Sequence, residues 1–521
     1  MSKVKLAVLL IKKEYQDFRD VIKEDVDVNF FDLHPELELD GVICIGANTH
    51  NLPEWYNFLR KGTNETIPQL TNSSTRAVLF IRYNGYLFAF VFGMGRYLIK
   101  DEAIIRDFGI KVVLNSVNPS MLRSIDTSTF DEITIHSRTQ TSKMSGINNF
   151  GLDIIRDYLR AATGVPNKAE LGSVISGRDS VHFSFELNYQ DIKDLCCYLF
   201  TQYQSAEYRK NFEWFDNLQY ITDSVLLNNL NNKLVSDIST GNASKLHLAP
   251  PEIINWDEIG GFSFTEMGQV YDDLKANDFF NLLKQRNIEV TEKKLKRRSI
   301  YVKDSNHNTI NKWSIYNSIV YETVFNDEYY ILTFGYWFKI NRVFVDVVQS
   351  YLATISESTC TLPECGLLEK EGDYNNRVST IDKDVLTLDR ELVRYNGSSI
   401  EVCDLLTRDK KLIHVKPWDS SSTLSHLFSQ GRVSAELLIQ EIEFRKLTRQ
   451  KISGLDISFV NVIEENFFNP REYEIVFAII DPSNNPLRER LPFFSKLNMM
   501  QNVKYLRNLG FSVTLKKIIR R

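Results

Sequence analysis

The chain has 521 residues, a formal net charge of −5 and a hydrophobic fraction of 43%. That balance excludes a sequence-blind nucleic-acid binder built on one strongly basic domain, so any phosphate contact must come from local patches. The length suggests about three domains, with enough apolar sequence for a core in each. Aromatic residues make up 12%, which suits buried strands or stacking on bases, and composition does not separate these uses. The six cysteines (Cys44, Cys196, Cys197, Cys360, Cys365 and Cys403) form no CxxC pair and have no histidine at zinc-ligand spacing. They read as free thiols in a reducing compartment. The apolar run from Leu6 to Ile11 is too short to span a bilayer and carries no cleavage site. A cytoplasmic protein without membrane contact is expected.

In chain order, residues 4–11 read as a buried strand. Two β-rich runs within 76–98 flank Asn84-Gly85, a pair that tolerates positive φ and signals a hairpin. The Gly93-Met94-Gly95 sequence follows the second run. It lacks the rest of a dinucleotide fingerprint and reads as a bend rather than a phosphate loop. Residues 147–163 have the spacing of an amphipathic helix closed by Gly164, and residues 189–235 are helical in spacing throughout. The stretch 237–252 is polar and turn-rich, and Pro250-Pro251 blocks a helix there. These signals divide the chain into an N-terminal mixed α/β domain (1–236), a linker (237–252), a middle domain of β-hairpin and helix (253–355) and a C-terminal domain (356–521). The segment 316–351, around Asn326-Asp327-Glu328, repeats the order hairpin, Phe-Gly, aromatic strand, helix. An internal duplication and two ordinary hairpins both account for it. The densest basic run, Lys293, Lys294, Lys296, Arg297 and Arg298, is either a solvated face or a candidate for phosphate contacts.

The C-terminal domain carries the clearest chemical pattern. Strands are expected at 385–394, 399–406 and 411–417, a helix at 422–438, a strand at 473–481, a helix at 495–509 and a strand at 511–518. The class is mixed α/β. A three-strand meander followed by a helix and a further strand is the core order of restriction-endonuclease-like folds. That fold uses an Asp on the second strand and Asp/Glu-x-Lys on the third, where the acids hold Mg²⁺ and the lysine steadies developing charge. Asp404 stands on the second strand and His414-Val415-Lys416 on the third. A turn near Asp409 sets Asp404 opposite His414 and Val402 opposite Lys416, so Asp404, His414 and Lys416 share one face. A one-residue slip would separate them. In the following helix, Ser420 to Thr423 offer capping oxygens, and Ser425, His426, Ser429, Gln430 and Arg432 cluster near Gly431. Gln430 and Arg432 are candidates for reaching a phosphate.

His414 departs from the motif, because Mg²⁺ prefers oxygen ligands and imidazole suits Mn²⁺ or Zn²⁺. Three explanations stay open. The missing acid comes from elsewhere, with Glu401, Glu391, Glu371 and Asp373 as candidates, Glu401 needing a bulge to reach the same face. Alternatively, His414 is a general base or a ligand for a softer metal. In the third, the core binds without cutting. A structural histidine, a plain Asp404–Lys416 salt bridge and an ordinary polar helix face are the bland counterparts.

The stretches IEVCDLLTRDKKLIHVKPWDSSSTLSHLFSQGRVSAELL, EGDYNNRV and LPFFSKLNMMQNVKYLRNLGFSVTLKKI, with FVFGMGR and PPEIINWDEIGGFSF, resemble a sporadically distributed bacterial family of uncharacterised large proteins. The resemblance runs over nearly the whole chain. It implies cargo of mobile elements and defence islands, and its matching positions are Asp404, His414, Lys416, Ser425, His426 and Gln430. The expectation is a defence protein whose Mg- or Mn-dependent nuclease core acts on DNA. A catalytically inactive sensor of nucleic acid or of a phage protein is the alternative, and a homo-oligomer is compatible with either.

Overall fold

The computed structural model describes residues 4–51, 72–129, 134–153, 157–186, 188–240, 246–254, 256–418 and 421–521. Helices and sheets are mixed in it, and the chain forms two compact units, 1–128 with 136–216 and 129–135 with 217–521. Among the described residues no helix is long and apolar enough to cross a membrane.

The strand read at the start of the sequence, Val4–Leu10, lies inside a ten-stranded sheet of the first unit. Its neighbours are Tyr86–Gly93 and Val181–Phe185, both antiparallel to it. Asn84 and Gly85 take φ of 52° and 75°, and Tyr83 pairs with Tyr86, as the hairpin signal requires. A Cβ on Gly93 or Gly95 would meet the backbone oxygen of Thr75 or Ala77 at 2.5 or 2.1 Å. The glycines there serve close backbone packing. The helix expected at 147–163 is absent. Ile147–Phe150 is a single 3-10 turn, and Asp157–Pro166 is a strand whose Ala162 to Gly164 pair with Ile175 to Gly177. Sheet pairing overrides the helical spacing there.

In the second unit the segment 237–252 is not a plain linker. The helix Ser224–Thr240 occupies its start, and Leu246–Leu248 pairs with Ile319 to Tyr321 in a five-stranded sheet. The apolar Leu246 and Leu248 are buried, and the division between compact units falls at 216/217 instead. The two aromatic hairpins also lead to different structures. Phe334 and Gly335, at φ of 54° and 78°, turn the chain into a third strand, Tyr336–Ile340, whereas Gly93 ends its strand.

The rest of the second unit contains the elements β1 (Ser356–Glu357), α1 (Glu371–Ile381), β2 (Val385–Thr387), β3 (Leu405–Thr407), β4 (Lys411–Pro417), α2 (Ser421–Gln440), α3 (Ile442–Leu455), β5 (Glu474–Asp481), α4 (Phe493–Asn508) and β6 (Ser512–Ile519). The strands form one sheet in the order β1-β6-β5-β4-β3-β2. β4, β5 and β6 are parallel, while β2–β3 and β3–β4 are antiparallel. Val415, Val476, Ala478, Ile480 and Ile518 pack one face of it with Tyr374 and Val378 of α1. Parallel strands buried on both faces read as continuous apolar runs, which is why 474–481 was legible.

Two expected strands are broken. The run 385–394 divides into β2 and Val393–Tyr395, and 399–406 divides into Ser398–Ile400 and β3. Asn396 and Gly397, at φ of 47° and 80°, close a small hairpin between Val393–Tyr395 and Ser398–Ile400, which form a separate two-stranded sheet. The chain therefore leaves the main sheet after Thr387 and rejoins it at Leu405.

Candidate metal centre

Asp404 sits at the point of re-entry, one residue before β3. Its N–H donates to the Ile413 carbonyl at 3.0 Å, and its carbonyl accepts from Leu388 and Asp389 at 2.8 and 3.1 Å. Its Oδ2 accepts the Val415 N–H at 2.7 Å. Leu405 pairs with Ile413 and Leu406 with Leu412, the register expected from a turn near Asp409. The residue is 2% exposed, and Oδ1 has no hydrogen-bond partner among the described residues. Burial raises the Asp404 carboxyl well above its ordinary range, against the opposing pull of the Val415 N–H.

The Asp404 carboxylate is not alone. One carboxylate oxygen from each of Glu371, Asp389 and Asp404 lies within 4.8 Å of the others. Glu371 is the first residue of α1, where a negative charge is favoured by the helix dipole. Asp389 lies in the turn between β2 and the small hairpin, followed by Arg390 in the left-handed region at φ 62°. Lys416, near the end of β4, donates to Glu371 Oε1. Its ion pair is therefore with Glu371 rather than with Asp404. Burial lowers the Lys416 ammonium, but the Glu371 hydrogen bond and the charges of Glu371, Asp404 and Glu401 outweigh it, so the net shift is upward. A cavity of about 380 Å³ opens on this group, lined by Lys370, Glu371, Asp389, Arg390, Glu401 and Lys416 among others.

Glu401 lines the cavity from residues 401–404, a stretch outside both flanking strands, where strict strand alternation does not hold. Gln430 of α2 donates to Glu401 Oε2 at 3.1 Å. Of the residues singled out in the sequence, Asp404, Glu371, Glu401, Lys416 and Gln430 are thus brought together.

The others lie elsewhere. His414 is 2% exposed, with its ring 6.1 Å from that of Phe477. A Cβ on Gly431 of α2 would stand 3.4 Å from His414 Cδ2, so the imidazole is wedged between sheet and helix. Burial, helped by the Lys416 charge, pulls its pKa down to about 3, and Nε2 has no partner among the described residues. Glu391 pairs with Lys451 at 3.0 Å, and Asp373 is exposed on α1. The Arg432 guanidinium lies 4.0 Å over the Tyr505 ring. α2 continues through Gly431 to Gln440 rather than ending there. His426 and Ser429 are exposed, and the side chains of Ser420 to Thr423 and Ser425 lie outside the described residues. In the basic run, Lys294 pairs with Glu289 at 3.3 Å and Lys296 with Glu292 at 2.6 Å, while Lys293 and Arg297 are exposed and Arg298 half-buried.

Asp389 was missed. Asn396-Gly397 signals the small hairpin that interrupts the expected strands, but no local pattern points to Asp389 in the turn before it.

A family model described as "Family of unknown function (DUF6119)" matches residues 6–519. No curated protein and no solved structure matches the chain.

Proposed function

Given that the chain belongs to DUF6119, a family of unknown function, we propose from the site itself that it is a metal-dependent nuclease centred on Glu371, Asp389, Asp404 and Lys416. The observation that carries this reading is the trio of carboxylates, in which Asp404 is buried and its Oδ1 has no hydrogen-bond partner among the described residues. Burial pushes such a carboxyl toward its protonated form, and a cation beside it would let it ionise. An all-oxygen set suits Mg²⁺ or Mn²⁺ better than a softer ion. A divalent ion held there would polarise a phosphodiester and offset charge developing on it. Lys416 supplies a fixed positive charge at the cavity wall, and Glu371 orients its ammonium. Lys370 and Arg390 on the same wall suit a polyanionic substrate, with DNA as the proposed one. The order helix, three strands, helix, parallel strand supports a restriction-endonuclease-like reading of this region, and a defence role against foreign DNA would use such an activity.

A second reading is favoured by His414. With a buried imidazole where the motif has an acid, the region would be a nuclease-like scaffold that binds nucleic acid or a phage protein without cutting.

The test is cleavage of single- and double-stranded DNA and RNA in Mg²⁺ and separately Mn²⁺, by the wild type and by Asp404→Ala and Lys416→Ala. Ion-dependent cleavage lost in both folded variants is the expected result. Retained nucleic-acid binding without cleavage under either ion would overturn the nuclease reading in favour of the second.

A further inference from the structure

Glu401 lines the cavity but stands outside the carboxylate trio. Both of its oxygens are engaged. Oε1 accepts the Arg390 N–H, and Oε2 accepts Gln430 Nε2 at 3.1 Å. Arg390 is left-handed at φ 62°, a conformation a non-glycine residue keeps where its surroundings hold it. The two preceding amides, Leu388 and Asp389, both donate to the Asp404 carbonyl. The turn is thus fastened at two points, and Asp389 lies between them. One fastening is backbone to backbone and survives any side-chain change at 401. The other is the Glu401 carboxylate, itself tied to α2 through Gln430.

We propose that Glu401 is a positioning residue, which bridges Gln430 and the Arg390 amide and so fixes the turn that presents Asp389 to the metal centre. Its effect on metal binding rests on the reading given under Proposed function; its hold on the turn does not. A ligand or a general base must keep its carboxylate, whereas a positioning acceptor needs an oxygen at the Arg390 N–H. Glu401→Gln keeps that oxygen. The new amide would face Gln430, whose own Oε1 has no partner among the described residues and can receive it once the amide turns over. Glu401→Ala keeps nothing.

The experiment measures Mn²⁺ affinity of the full chain by electron paramagnetic resonance and, without metal, hydrogen exchange at the amides of 388–390. Glu401→Ala is expected to weaken Mn²⁺ binding by about 10–100-fold, the range for residues that orient a ligand, and to speed exchange at the turn. Glu401→Gln should restore both to near wild type. Loss of Mn²⁺ binding in both variants with exchange unchanged would make Glu401 a ligand and overturn the proposal. If the wild type binds no Mn²⁺, the metal centre fails, and exchange still decides the proposal: a turn loosened by Ala and restored by Gln supports it, while a turn indifferent to both overturns it.

Discussion

Asp404→Asn changes the charge of the centre while keeping its shape. An asparagine oxygen still accepts the Val415 N–H, which now reaches Oδ2 at 2.7 Å. Its amide nitrogen takes the position of Oδ1, on a residue that offers one oxygen within 4.8 Å of oxygens of Glu371 and Asp389. Burial raises the Asp404 carboxyl, so in ion-free protein it is held toward its neutral form and the substitution exchanges one neutral group for another of nearly the same shape. An unsatisfied buried polar atom costs about 1–3 kcal/mol, so the variant should match the wild type or exceed its stability by no more than this order. With a divalent ion at about 100 times its Kd, the wild type gains about 2.7 kcal/mol by mass action. The variant, lacking one charged ligand, forfeits most of that. Asparagine is therefore at least as stable in chelator and the less stable in Mn²⁺. Denaturant unfolding followed by tryptophan fluorescence reads this, because Trp256, Trp313, Trp337 and Trp418 belong to the second compact unit. A variant less stable than wild type in chelator, or equally stabilised by Mn²⁺, would refute the reasoning.

Other perturbations separate the parts of the site. A Cβ at Gly372 would stand 3.0 Å from Asp389 Oδ2; Gly372→Ala should therefore gain up to about 1 kcal/mol of helix stability while weakening Mn²⁺ binding, seen by a melt and a titration on one sample. Lys370→Ala and Arg390→Ala should raise KM for DNA with kcat less affected, and each should lower the salt dependence of binding by about one charge. The His414 pKa is depressed from 6.5 to about 3, so the unfolded chain binds the extra proton between those values. Its contribution to stability is complete above pH 6.5 and falls as pH drops toward 3, by up to about 1.4 kcal/mol per pH unit. His414→Leu should flatten that slope in pH-dependent unfolding and leave ion-dependent cleavage intact; loss of cleavage in a folded variant would return His414 to the site.

Much of the C-terminal region was legible because its signals are local. The parallel strand β5 is a continuous apolar run, β4 follows a turn with Asp409 and the left-handed Lys410, and the pairing of Leu405 with Ile413 follows from that turn. The segment 385–406 was misread because apolar residues at both ends suggested two long strands. The chain there spends its backbone donors elsewhere: the Leu388 and Asp389 amides go to the Asp404 carbonyl, and Val393 to Tyr395 pair only with Ser398 to Ile400. In the first unit, Asp157–Pro166 carries helix-like spacing, yet a Cβ on Gly164 would stand 2.4 Å from Val117 Cγ1. Sheet neighbours distant in sequence decide such a segment, and no window of local pattern contains them.

The placing of His414 accounts for where the acids come from. Its side chain faces Phe477 beneath Gly431, and a carboxylate at that position would be buried against an aromatic ring and a helix backbone. The carboxylates instead come from three separate segments: the first residue of α1, the turn after β2 and the residue before β3. Only the last belongs to the strand pair that carries Lys416. The spacing of two between an acid and a lysine is therefore not the constraint this chain obeys. The constraint is that Glu371 meets Lys416 across 45 residues while the Asp404 backbone holds Asp389 in place, and the second of these ties lies at the end of the break at 401–404. Pairing that segment continuously with β4 would turn Glu401 to the opposite face and take from Asp389 the turn that carries it.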